Sequence, residues 1–325
     1  MTKRRDMKEF VDFEKVRNEL SNAKFYMGLS SYGTVEERNK VAEAERKIPE
    51  LEALLAKEPP PPELPPKAPL IKVTGILEEF SVMKVWGYFT DREYDPEAFS
   101  RKEERDQAGA LLLAMIGNTT GAAVTSQSQV RMNAPSDFVR GKINEISFYG
   151  WLGMTNAKVG DYVELAVMPK DDHCIVYALA NPYERTISMT PCCERGVRAY
   201  SKDEINILYV IFTVIAFIIL FLGIGVKKIS FLPMLFVEYF YLLFAYFLID
   251  FTKKDMIKNP NPTSVLAERI FSALGFPEPM KVDLVFLTKL KVRELKRNGA
   301  SPIVENEKDR LLPEKGSVRE YFYYY

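Results

Sequence analysis

The stretch "GVKKISFLPMLFVEYFY", residues 225–241, decides how this chain is read. It joins two long apolar runs through Lys227, Lys228 and Pro233, and it carries one carboxylate, Glu238, among aromatic and aliphatic neighbours. Upstream, no charged side chain occurs from Ile205 to Val226; downstream, Glu238 is the only one from Ile229 to Ile249. A helix of the first run would extend about 33 Å, comparable with a hydrocarbon core of roughly 30 Å. Leu, Ile, Phe and Val dominate both runs, each contributing about −0.3 to −0.6 kcal/mol to insertion, so a central carboxylate costing about 3 kcal/mol does not cancel the total. The sequence therefore predicts a two-helix transmembrane hairpin, 205–226 and 229–249, that turns at Lys227 and Lys228.

Orientation follows from the flanking cations. Arg195, Arg198 and Lys202 precede the hairpin and Lys253, Lys254 and Lys258 follow it, against two lysines in the turn. The positive-inside rule then places both termini in the cytoplasm of a protein with two spans in the inner membrane, unless the chain is delivered into a target cell from outside. Glu238 falls near the bilayer midplane, with Tyr241 on its face at i+3. An acid there usually faces a bundle interior or a watery path. A single hairpin has no interior, so the expectation is a homo-oligomer in the lipid bilayer, with Glu238 and Tyr241 at the oligomer contact or lining a pore. The competing reading is an acid that is tolerated without a task.

Outside the hairpin the chain is polar. The 325 residues are 47% hydrophobic and 27% charged, a length that predicts two or three domains. The 44 basic and 44 acidic side chains cancel, and no basic stripe marks a nucleic-acid partner. The opening "MTKRRDMKEFVDFEK" has a basic cluster with no apolar segment after it, unlike a secretory signal peptide. Cys174, Cys192 and Cys193 are too few for a disulfide framework and lack metal-ligand spacing, which predicts reduced, structural thiols.

The N-terminal region, 1–57, reads as two amphipathic helices. Met7, Phe10, Val16 and Leu20 form one stripe; after "GLSSYG", Thr34 and Glu37 have capping-box spacing, and Val41, Ala44, Ile48, Leu51 and Leu55 form a second. Either a hairpin docked on itself or the body, or a partner-binding coiled coil, fits that pattern. "KEPPPPELPPK", 57–67, cannot continue a helix and favours extended polyproline II. Residues 58–69 read as a semi-rigid linker, with an SH3-type ligand as the alternative.

From Leu70 to Pro191 the hydrophobic period shifts toward two. "LIKVTGILEEF", "VMKVWGYF", "RGKINEISFYGWLG", "DYVELAVM", "HCIVYALA" and "RTISM" are strand-length and rich in Val, Ile, Tyr and Phe. The fold class expected is therefore α+β: a small β barrel or sandwich, OB- or SH3-like, over 70–191, joined to the helical hairpins. An insert at 96–130 begins as a charged helix and becomes uncharged, with Gly117 and Gly121 at GxxxG spacing. It reads either as a helix packed on the barrel or as a conditional membrane-inserting segment. Residues 250–325 predict short helices, the first capped by Thr263 or Ser264 and stopped by Gly275, and an aromatic tail "YFYYY".

No enzyme is legible. His173 is the only histidine, and no GxSxG, Walker A, GxGxxG or CxxC occurs, so no catalytic residue, metal site or cofactor is expected.

Two separated stretches carry a resemblance. "DDHCIVYALANPYERTISMTPCCERGVRAY", 171–200, leads into the hairpin, and "AERIFSALGFPEPMKVDL", 267–284, follows it. With "CERG" (Cys193, Arg195 and Gly196 within it), "AGALLLAMIGNTTGAAV" and "LGFPEP", this order resembles the type VI secretion system effector family of enterobacteria, over roughly residues 70–290. The resemblance implies an interbacterial toxin delivered by a contractile secretion machine, with a cognate immunity protein and a secretion-machine component as partners. The hairpin residues then point to membrane depolarisation rather than hydrolysis. No catalytic residues come with the resemblance, and the N-terminal region and aromatic tail are not among the family's features. An inner-membrane anchor bearing a cytosolic binding module, or an immunity or adaptor protein, are the other two classes the residues allow.

Overall fold

The computed structural model describes residues 10–28, 35–115, 131–225, 231–298 and 322–325. Helices α1 (Phe13–Gly28) and α2 (Val35–Leu55) lie side by side. Ala23 and Ala44 are buried between them, where small side chains allow close approach. Just before α1, Val11 pairs in parallel with Val85, donating its N–H to the Lys84 carbonyl (3.1 Å) and accepting from the Trp86 N–H (2.9 Å). That contact covers an otherwise open strand edge. Phe13 packs there on Val85 and Phe138.

Strand β1 (Ile71–Phe89) is long because it belongs to two ladders. Ile71–Ile76 pair with β4 (Tyr162–Pro169), whereas Leu77–Phe89 pair with β2 (Met132–Ile143), and the register shifts between Leu77 and Glu79. Such an irregularity bends a strand and increases its twist. The two first predicted strands are thus one bent strand. A 3-10 turn at Asp91–Glu93, capped by Thr90, leads into α3 (Pro96–Met115). The described side chains near the end of α3, Leu111 and Met115, are exposed. Gly117 and Gly121 lie outside the described residues.

The remaining strands are β3 (Ile146–Leu152), β5 (His173–Asn181), β6 (Thr186–Met189) and β7 (Phe322–Tyr324). The sheet order is β3-β2-β1-β4-β5-β6-β7, and β3 also pairs with β5 in parallel, so five strands close on themselves. Gly150 sits at this seam: a Cβ there would run into the Val176 carbonyl and side chain. Leu77, Val139, Phe148, Leu152, Leu165 and Val176, drawn from all five strands, form one buried cluster enclosed by the closure. Strand β5 is buried on both faces, which explains its unbroken apolar run "CIVYALA".

The other face of β5 packs on helix α6 (Pro262–Leu274). Phe271, Ile270 and Leu266 of α6 are fully buried against Phe89, Tyr177, Ile187 and Met189. The cap of α6 is Asn261 rather than Thr263 or Ser264: its side chain accepts from the Thr263 N–H, and Pro262 occupies the first turn, where a missing N–H costs nothing. Gly275 ends the helix at φ 82°, a left-handed conformation that favours glycine. Helix α7 (Leu284–Arg297), capped by Asp283, covers the aromatic tail, whose Tyr324 N–H donates to Thr288 Oγ1 at 2.9 Å. The tail is a strand of the sheet, paired with β6.

Two expectations are corrected here. As predicted, the described residues form an α+β fold, in which the five closed strands belong to one seven-stranded, largely antiparallel sheet accompanied by seven helices; the membrane hairpin and its placement are what change. Helices α4 (Val197–Gly225) and α5 (Phe231–Lys258) do pair, yet among the described residues no helix is long and apolar enough to cross a membrane. The transmembrane hairpin and the two-span inner-membrane placement with cytoplasmic termini fall with that finding. Helix α4 opens with Arg198, Lys202, Asp203 and Glu204. Helix α5 continues past Ile249 into Asp250, Lys253, Lys254 and Asp255.

Candidate functional site

The best-built site among the described residues is the groove that holds the proline-rich segment. Residues 58–69 run across the sheet instead of standing clear of it, with Pro59 and Pro65 buried. Trp151 Nε1 donates to the Pro60 carbonyl (2.9 Å), and the Tyr177 hydroxyl donates to the carbonyls of Glu63 (3.3 Å) and Leu64 (3.1 Å). Arg269 of α6 donates to the Pro66 carbonyl and, at 2.7 Å, to that of Ala68. Tyr149 and Lys170 both donate to Glu63 Oε1, at 3.1 and 2.9 Å. Prolines have no N–H, so a proline-rich chain can be held only through its carbonyls and ring faces.

The donors come from local sequence patterns. In β3, "ISFYGWL", Phe148 and Leu152 enter the enclosed core, and alternation puts Tyr149 and Trp151 on the opposite face. Trp151 is held edge-on to Phe89, with ring centroids 6.1 Å apart, and lies 5.4 Å from Phe138. Tyr149 stacks on His173 at 5.1 Å, and His173 Nδ1 meets the Asp172 carboxylate. The only histidine is thus a supporting side chain at the rim. It also lines a separate cleft of about 470 Å³ with Arg140, Ser81 and Ser147.

Electrostatics agree with a seated segment. The hydrogen bond from Lys170 holds the Glu63 carboxyl below its usual value, and the same bond raises Lys170. Burial pushes the Tyr149 and Tyr177 hydroxyls up, and burial lowers Arg269. Beside the N-terminal prolines the groove widens into a cleft of about 540 Å³, lined by Arg17, Glu58, Trp86, Tyr88, Arg131 and Trp151. Both tryptophans of the chain face this cleft.

The predicted motif residues form a second cluster. Arg195 makes a bridge with Asp283 and ion pairs with Asp203 (2.9 Å) and Asp283 (3.5 Å). The Gly196 N–H donates to the Val282 carbonyl (2.9 Å), and the Leu284 N–H donates to the Glu194 carbonyl (3.0 Å). Gly196 must be glycine because a Cβ would strike the Pro279 and Met280 backbone. The two stretches noted in the sequence, 171–200 and 267–284, therefore meet as one clasp. The clasp is structural rather than nucleophilic: Cys193 is buried, and burial pushes Cys192 up to about 11 and raises Cys193, which keeps both thiols protonated and unreactive. Among the described residues no group of three or more His, Cys, Asp or Glu could hold a metal ion.

The predicted pore or oligomer residues divide. Tyr241 on α5 donates to the Phe212 carbonyl of α4 at 3.0 Å and lies against the Phe212 ring, so it ties the two helices together. Glu238 and Pro233 lie on α5, but their side chains fall outside the described residues, as do Lys227 and Lys228 altogether. Trp151, Tyr149, Tyr177 and Arg269 escaped the sequence reading, because their convergence comes from strand pairing and from α6. The alternation "FYGWL" was the available signal, with the proline run far from it in the chain.

No protein-family model matches the chain, and no curated protein or solved structure matches it either.

Proposed function

We propose that the chain is a non-enzymatic interaction protein of the antibacterial effector kind, and that it acts as a homo-oligomer assembled through its α4–α5 arm. The observation that carries this reading is the arm's bare apolar surface. Beyond the start of α4, where Val197, Ser201 and Ile205 are buried, the described side chains of the two helices bury Ala216, Ala245 and Ile249 and leave Val210, Phe217, Tyr239, Phe244 and Phe247 exposed, Phe217 and Phe247 at 66% and 67%. Contiguous apolar surface of that kind marks an interaction site far more often than free surface. The effector part rests on the resemblance of 171–200 and 267–284.

Two measurements test it. Light scattering on the purified full chain should give a concentration-dependent oligomer, and the double change Phe217→Ser with Phe247→Ser should give a folded monomer. A wild-type monomer at every concentration removes the assembly reading. Induced expression in a bacterium without neighbouring genes should arrest growth. Normal growth at full expression removes the effector reading and favours an immunity or adaptor role.

A further inference from the structure

We infer that the aromatic groove is a receptor for proline-rich segments of a partner protein, and that residues 58–69 are its built-in competitor. The hydrogen bonds described between groove and strap run one way, from groove donors to strap carbonyls or to the Glu58 and Glu63 carboxylates. Recognition by added β-strand would use the N–H groups of the segment as well; recognition that uses only carbonyls and ring faces is the polyproline mode. The seated strap also defines the ligand. It is an extended segment with prolines on both sides of one acid, the acid meeting Lys170 and Tyr149 and the C-terminal carbonyls meeting Arg269.

A partner in trans is favoured over a site serving the strap alone because the groove is larger than its occupant. Trp86 and Trp151 line the cleft of about 540 Å³ beside Pro59, Pro61 and Pro62, which leaves further indole surface along the same track, with Arg131, stacked on Tyr88 and paired with Glu14, at its edge. The strap is tethered at both ends, by α2 and by β1, so it competes at the high effective concentration of a short linker. An incoming ligand therefore meets a site that is free only part of the time, which lowers its apparent affinity by that fraction.

The test uses the full chain and a synthetic peptide, Lys-Glu-Pro-Pro-Pro-Pro-Glu-Leu-Pro-Pro-Lys, with emission from Trp86 and Trp151 as the readout. Wild type should bind it weakly and saturably. A variant with Pro59→Gly, Pro62→Gly and Pro65→Gly, which loosens the strap, should bind at least about tenfold more tightly. A peptide with alanine for every proline should not bind either protein. Trp151→Phe keeps a ring but loses the indole donor, and should weaken peptide binding several-fold with an unchanged far-ultraviolet spectrum. Excess peptide should also speed tryptic cleavage of wild type after Lys67, since the strap is released. Absence of peptide binding to both proteins, or equal binding of the proline-free peptide, overturns the proposal. So does a tryptophan signal that depends on chain concentration alone, because the occupant would then be a second copy's strap.

Discussion

The sheet and the arm treat the same kind of residue in opposite ways. Around β5, aromatic and aliphatic side chains are covered on both faces, by the enclosed core on one side and by α6 with the proline strap on the other. On α4 and α5, side chains of equal size stand outside: Phe271 is fully buried while Phe247 is 67% exposed. Burial of a phenylalanine stabilises by roughly 1.5–3 kcal/mol, so the first region holds the fold together. On the second, the described apolar side chains remain largely uncovered. A sequence composition cannot distinguish these uses, since both regions are rich in the same residue types.

The sharpest way to break the comparison is to truncate one ring in each region. Phe271→Ala should cost about 3–5 kcal/mol in urea unfolding, whereas Phe247→Ala should stay within about 0.5 kcal/mol when the chain is held dilute. Equal losses would mean that the arm is part of the core. Next in size, Gly150→Ala drives a methyl group into the Val176 carbonyl at the β3–β5 seam and should cost about 1–3 kcal/mol, measured by the same titration. A neutral outcome would show that the seam opens freely.

Smaller effects probe the strap. Tyr177→Phe removes the hydroxyl shared by the Glu63 and Leu64 carbonyls and should cost about 1 kcal/mol, with faster proteolysis after Lys67. Unchanged proteolysis would place the strap's anchorage elsewhere. The smallest effect is that of pH. The folded state holds Glu63 below its ordinary 4.5, so its contribution is complete above that value and is lost as pH falls through the lowered one. Both partners are about a third exposed, and solvent screening limits the pair to less than about 1 kcal/mol. Glu63→Gln should flatten this acid-side loss; an unaltered profile would assign it to other carboxylates.

Local pattern made several elements legible. Alternation in "DYVELAVM" and "HCIVYALA" placed β4 and β5, and the left-handed stop at Gly275 was visible as a glycine before proline. The stripe through Ala44 likewise marked the face that α2 turns toward α1. Capping was less legible at α6, where Asn261 outcompetes Thr263 because Pro262 suits the first helical position. The candidate site was nearly invisible. Its donors lie at Tyr149, Trp151, Tyr177 and Arg269, and the Pro60 carbonyl that Trp151 holds is 91 residues upstream of it. Nothing in a single segment encodes that meeting.

By itself the sequence determined most of the segments that become strands and helices, since hydrophobic period, proline and glycine act over a few residues. It also determined that the proline run would be extended, because each ring fixes φ and removes an N–H. Tertiary structure alone decided where that run lies, that Arg195 and Gly196 clasp Val282 and Asp283, and that "YFYYY" ends as a strand beside β6. It decided as well which aromatic residues are covered. Those outcomes depend on contacts between residues far apart in the chain, and their free energy exists only once the sheet has closed and α6 has packed against it.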